Sequence, residues 1–212
     1  MDTFKSYYMK NKNCNVLQTT KWIPYFDIYD KHSEHLKNKE NIRILEIGVR
    51  HGGSLLSFKS IFNKPIIFGI DIDERCKILQ KNYGFNIFIG NQSDQNFLSS
   101  FAENTVSLDM VIDDGSHIMS DIIISFEKLF PILNEDGVYI IEDLPDGKVN
   151  INFLKKTNDI EKIIIYDRVI VITKKIGSEK EIVNNLRKIK YQEKDRYHLG
   201  KIKLYNGNLK NS

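Results

Sequence analysis

Short apolar runs alternate with amphipathic stretches along most of this 212-residue chain. Residues 43–48, 66–71, 85–90, 110–112 and 138–141 are runs of Ile, Leu, Val and Phe bounded by glycines or acids, the signature of strands buried on both faces. Helical periodicity fills the intervals. It covers 54–62, a segment ending near Phe101, and 118–133, where Ile122, Phe126, Leu129 and Phe130 share one face; Asn134-Glu135-Asp136-Gly137 and Pro145-Asp146-Gly147 predict turns. Two β-rich runs, 163–165 and 169–172, flank Tyr166-Asp167-Arg168 and predict an antiparallel hairpin. Five strand–helix units followed by a hairpin predict an α/β fold: one doubly wound, mostly parallel seven-stranded sheet with a C-terminal antiparallel hairpin.

The flanks are read from the same pattern. Trp22, Tyr25, Phe26, Tyr29 and Leu36 recur at helical spacing and predict an aromatic helix over 21–36 that packs on the sheet and lies across a ligand cleft. Residues 1–20 are polar around Cys14 and read as loosely ordered. Ser178-Glu179-Lys180-Glu181 forms a capping box that predicts a basic helix to about Lys190. The tail with Tyr197, His198 and Tyr205 has no periodicity. With no internal repeat and no linker composition, residues 1–212 read as one domain: a helical cap (1–40), a core (41–175) and a C-terminal helix and tail (176–212).

Composition narrows the class. Hydrophobic residues at 41% and charged residues at 28% are ordinary for a soluble globular protein. A net charge of +3 is too weak to argue for nucleic acid. No apolar run approaches the roughly 20 residues that span a bilayer, and Met1-Asp2-Thr3-Phe4-Lys5 lacks the apolar core of a secretory signal. Cys14 and Cys76 have no metal spacing and read as free thiols in a reducing cytosol. A cytoplasmic protein is expected, without nucleic acid or a membrane span; a homo-oligomer is compatible with the sequence.

Chemistry gathers where the runs end. The strand through Met110-Val111-Ile112 stops at Asp113-Asp114-Gly115-Ser116-His117, and the one through Ile140-Ile141 stops at Glu142-Asp143. Ligands of open α/β sheets bind beyond the carboxyl ends of the strands, where these acids and the histidine stand. A glycine loop follows Glu46, with Gly48 and Gly52 spaced as in an acidic-x-Gly-x-x-x-Gly pattern, and Ser54 opens the next helix. Glu46 suits a ligand ammonium and opposes a diphosphate, which argues against a dinucleotide. Asp71 closes the second strand, 23 residues after Gly48, at the usual place of a ribose-binding acid. Gln92, Ser93 and Asp94 follow the third strand, where they either face an adenine or cap the next helix. Three carboxylates make a hard oxygen site suited to Mg²⁺. His117 is either a general base or a structural histidine at a helix start.

These residues resemble the class I S-adenosylmethionine-dependent methyltransferases, a Rossmann-like fold. Within that class, the Asp-Asp-Gly-Ser-His and Ile-Glu-Asp-Leu pair is similar to the metal-dependent sugar O-methyltransferases of macrolide biosynthesis and to cephalosporin-hydroxylase-like proteins. The resemblance runs from about Thr20 to Lys174. It implies S-adenosyl-L-methionine bound by Glu46, Gly48, Gly52, Ser54, Asp71, Gln92, Ser93 and Asp113. It also implies Mg²⁺ or another divalent cation on Asp114, Glu142 and Asp143, with His117 as base and a small-molecule or glycan-precursor acceptor. The family's Thr-Asp-Lys segment stands here as Thr19-Thr20-Lys21, and the segment after Asp143 is short. Rival readings are methylation of a non-sugar oxygen (a phenol or phosphate type), or a cofactor-binding subunit without turnover. A nucleotide-sugar dehydrogenase or epimerase is disfavoured by the glycine pattern and the lack of a Tyr-x-x-x-Lys pair.

Overall fold

A computed structural model describes residues 3–11, 17–105, 107–144, 151–184 and the backbone of 196–199. The core is an eight-stranded sheet in the order β4-β3-β2-β5-β6-β8-β7-β9. Its strands are β2 (Arg43–Ile47), β3 (Ile66–Asp71), β4 (Asn86–Ile89), β5 (Leu108–Asp113), β6 (Leu133–Ile141), β7 (Ile160–Ile165), β8 (Ile170–Lys174) and β9 (Glu181–Asn184). β8 runs against both its neighbours, β6 and β7, while the other pairings are parallel. The Rossmann-like expectation and the β7–β8 hairpin are both observed.

Helices cover the two faces: α1 (Phe4–Asn11), α2 (Ile23–Ser33) and α3 (Gly53–Ile61) on one, α5 (Gln95–Thr105) and α6 (Met119–Leu129) on the other. Short helices α4 (Ile78–Tyr83) and α7 (Asn152–Lys156) complete the crossovers. Alternation along each strand feeds both cores. Ile44, Met110, Ile112, Val138 and Ile140 join the first helical layer, and Leu45, Ile47, Val111, Tyr139 and Ile141 the second. The registers Ile47↔Ile70, Ile47↔Asp113 and Asp113↔Ile141 bring the carboxyl ends of β3, β2, β5 and β6 to one level.

Four expectations are corrected. Part of 1–20 is not loose: α1 buries Phe4 and Tyr8 against Phe58 and Phe26, so its aromatic residues supply core contacts that its polar neighbours conceal. The aromatic helix starts at Ile23, since Thr19–Trp22 form a strand, β1, antiparallel to β10 (Arg196–Leu199). The cap is therefore not purely helical. The sheet has eight strands because 181–184, expected as helix, extend it as β9 beside β7, where pairing to an open edge outweighs a capping signal. Finally, the turn expected at 134–137 lies within β6, with a register shift opposite Leu108/Met110 and Asp136 at φ 61°. Cys14, the turn at 145–147, the rest of the basic helix and Tyr205 lie outside the described residues.

Candidate active site

A cleft of about 390 Å³ opens at the carboxyl ends of β2, β3 and β5, within the range of small-ligand pockets. Gly48, at φ 85°, forms part of its floor. A Cβ there would lie 2.1 Å from the carbonyl oxygen of Asp114, so the two strand ends meet this closely only without a side chain. Gly52, at φ 78°, caps α3 and stands outside the cleft wall. Ser54 lines the cleft from the first turn of α3 and donates its hydroxyl to Glu46.

Asp71 lines one end. Its carboxylate accepts the amides of Arg50 (2.8 Å) and Asp73 (2.9 Å), which fix both oxygens at the tip of β3. Gln92 also lines the cleft. Its Nε2 donates to Asp113 (3.1 Å) and its Oε1 accepts the Ser116 amide (2.6 Å), so it holds the loop that carries His117. Ser93 is turned into the Asn91 side chain and does not reach the cleft wall. Asp113 is 1% exposed and points to the opposite layer, where Ser125 donates to it at 2.7 Å. Burial pushes its carboxyl up to about 6, against the pull of the Ser125 and Gln92 bonds.

The other end holds Asp114, His117 and Asp143, whose ligand atoms lie within 4.8 Å of one another. Asp143 sits at φ 48° and accepts the Tyr25 hydroxyl at 2.5 Å; His117 sits at φ 59° with its Nε2 4.0 Å from Asp114 Oδ1. Two non-glycine residues in left-handed conformations, held by the folded strand ends, are the kind of local strain found at working sites.

Glu142 is placed differently from the expectation of a rim ligand. It is fully buried; one oxygen accepts the Tyr29 hydroxyl and the other the Lys21 ammonium at 2.9 Å. Glu46 is fully buried too, with Lys21 Nζ 3.3 Å away, and its carboxylate is not part of the cleft surface. Lys21 also donates to Asp114 Oδ2 at 2.7 Å. Burial opposes its charge, but three carboxylates outweigh that and hold its pKa well above the usual value. One positive charge cannot balance three negative ones, so burial lifts Glu46 and Glu142 to about 7 despite Lys21.

Sequence reasoning put Lys21 only in a matched segment and gave Tyr25 and Tyr29 a packing role. No sequence signal marked Lys21: alternation in Thr19–Trp22 favours Trp22 as the inward residue, and only the fold turns Lys21 inward, where a buried lysine needs a counter-charge. Arg50 and His51 also line the cleft from the glycine loop.

No family model matches the chain. It is 37% identical over 123 residues to the demethylmacrocin O-methyltransferase of Streptomyces fradiae, an alignment covering 55% of this chain and 30% of that one. It is 30% identical over 155 residues to the 8-demethyl-8-alpha-L-rhamnosyl tetracenomycin-C 2'-O-methyltransferase of Streptomyces olivaceus, covering 64% and 40%. Among solved structures, the MycE methyltransferase from the mycinamycin biosynthetic pathway, in complex with Mg, SAH and mycinamycin VI, matches at TM-score 0.64 and 29% identity, covering 73% of this chain and 50% of that one. These curated relatives are sugar O-methyltransferases of macrolide and tetracenomycin biosynthesis. The chain spans between about a third and a half of the length of the relatives it matches.

Proposed function

We propose that the chain transfers a methyl group from S-adenosylmethionine to a hydroxyl of a sugar carried by a small molecule or glycan precursor, assisted by a divalent cation. The observation that carries this reading is the polarity of one cleft: a ribose-type acid, Asp71, at one end and the Asp114–His117–Asp143 group at the other. The N-terminal cap and the core act as one unit in it, because β1 delivers Lys21 to the cleft of the core.

The donor set suits a hard ion. Asp114 and Asp143 offer carboxylate oxygens facing the cleft, and both have their second contacts, Lys21 and Tyr25, already made. A divalent ion held by Asp114 and Asp143 would supply positive charge that makes a nearby hydroxyl more acidic. His117 is assigned the base role, since a ring nitrogen bound to an ion has no lone pair left for a proton. It takes the hydroxyl proton as the oxygen–carbon bond forms and the carbon–sulfur bond breaks, the electron pair remaining on sulfur. Asp71 keeps two further lone-pair directions for ribose hydroxyls, and Gln92 fixes the His117 loop.

Calorimetric titration with S-adenosylmethionine and with NAD, then label transfer to a panel of sugar-bearing macrolides and aromatic polyketides with and without EDTA, tests the reading. Binding of S-adenosylmethionine alone and EDTA-sensitive transfer are expected. NAD binding without a response to S-adenosylmethionine would overturn the cofactor. Transfer undiminished in excess EDTA would remove the metal. No helix among the described residues is long and apolar enough to cross a membrane.

A further inference from the structure

The polar residues that follow β4 divide their work. Asp94 opens α5, accepting the amides of Asn96 (2.9 Å) and Phe97 (3.1 Å), and Ser93 closes onto Asn91. Gln92 crosses instead to the end of β5. It is buried, and both ends of its amide are occupied: Nε2 donates to Asp113 (3.1 Å) and Ser125 Oγ (3.4 Å), and Oε1 accepts the Ser116 amide at 2.6 Å. These partners bracket His117, since Asp113 closes β5 and Ser125 lies in α6, which the loop enters. Gly115 is fitted to this contact. No left-handed φ demands a glycine there, but a Cβ would stand 1.8 Å from Gln92 Oε1.

The His117 ring has no such hold of its own. Its Nε2 is 4.0 Å from Asp114 Oδ1, beyond hydrogen-bond range, and its Nδ1 meets no hydrogen-bond partner among the described residues. Its place is therefore set by the backbone that carries it, at φ 59°. We propose that Gln92 is a positioning residue for the base: by gripping the Ser116 amide from the β4 side, it fixes the loop and with it the His117 imidazole at the cleft wall. Both N–H groups of its Nε2 are used inside the protein, which leaves Gln92 no donor for the cofactor. The inference rests on the reading of His117 as the base.

Amide exchange and histidine Cε1–H resonances, both read by NMR, test this without an acceptor, beside calorimetric titration with S-adenosylmethionine. Ser116 is exposed, so slow exchange of its amide requires the Gln92 bond. In the wild-type chain that amide should exchange roughly 10²-fold slower than an unprotected one, and fast exchange overturns the inference whatever the variants do. Gln92→Met keeps the length of the side chain and loses its hydrogen bonds. The Ser116 amide should then exchange at least about tenfold faster and the His117 resonance should move, while the β5 amides and the affinity for S-adenosylmethionine stay within about threefold of wild type. An unmoved His117 resonance, or a larger loss of cofactor affinity, overturns the assignment. If Gln92→Met shows no cooperative melting, Gly115→Ala decides, because its Cβ must displace Oε1: the same signature is expected, and its absence overturns the inference. With an acceptor from the panel above, kcat in Gln92→Met should fall about tenfold or more at unchanged KM for the cofactor. A wild-type chain that binds no S-adenosylmethionine refutes the cofactor reading, and full turnover in His117→Ala refutes the base. Lost turnover in His117→Ala with full turnover in Gln92→Met removes only the role of Gln92.

Discussion

The ends of β5 and β6 look alike in sequence, each an apolar run stopping at two adjacent acids, yet the structure uses them differently. In both pairs one acid is buried and the other reaches the cleft: Asp113 and Glu142 inward, Asp114 and Asp143 outward. The inward members do not share an environment. Asp113 turns to the α5–α6 layer, where neutral donors, Ser125 and Gln92, hold it. Glu142 turns to the α1–α2 layer, where a cation and a phenol hold it. Adjacent residues on a strand point to opposite faces, and the pairs are out of step by one: the first acid of β5 continues the Val111 face, that of β6 the Ile140 face. A doubled acid at a strand end therefore divides into one sealed group and one facing the cleft, and the flanking apolar residues tell only which layer the sealed one enters.

Substitutions separate the two classes. The largest effect is expected on the outward side. His117→Ala should lower kcat by roughly 10²–10⁴-fold while Mn²⁺ affinity and the urea midpoint stay near wild type, as steady-state kinetics beside a titration will show. A loss of Mn²⁺ binding in the same variant would instead make the ring a ligand.

Next comes the contrast between Glu142→Ala and Asp143→Ala. The first strips Lys21 of a partner and leaves the Tyr29 hydroxyl buried without an acceptor, so urea unfolding should show a loss of about 3 kcal/mol. The second opens a position already facing the cleft, and a loss below about 1 kcal/mol is expected. Equal losses would erase the distinction between the two members.

Bounded by a similar figure is the pH dependence carried by Asp113. Its carboxyl rises from 3.8 to about 6 on folding, so between those values the native chain binds the proton that the unfolded chain has released. Stability contributed by that proton is present at the acid end and is lost as pH rises through about 6, amounting to roughly 3 kcal/mol at most. Glu46 and Glu142, lifted to about 7, act in the same direction up to that pH. Asp113→Asn should make the fall in urea midpoint between pH 4 and 6.5 shallower without abolishing it. An unchanged slope would mean that Asp113 is ionised in the fold.

The sequence by itself determined the parallel core, the level at which its strands end, and which residues crowd that level. Apolar runs of strand length, punctuated by glycine and acids, leave few other folds, and Gly48, Asp71, Asp114, His117 and Asp143 all line the expected cleft. Short-range patterns carried this because each strand must bury both faces and each helix one. Tertiary structure alone decided which partner each acid meets. Lys21 lies 93 residues from Asp114 and 121 from Glu142, and Tyr29 lies 113 from Glu142. No local periodicity records that β1 and α2 fold across the ends of β5 and β6. The same holds for β9, where a segment with a helix-start signal became a strand, since an open edge beside β7 supplies backbone partners that its own sequence does not advertise. Burial then set the charge states. The same carboxylate chemistry gives a group held near 7 at Glu142 and an acid facing the cleft at Asp143, one residue along the chain, because one is sealed under an aromatic helix and the other is not.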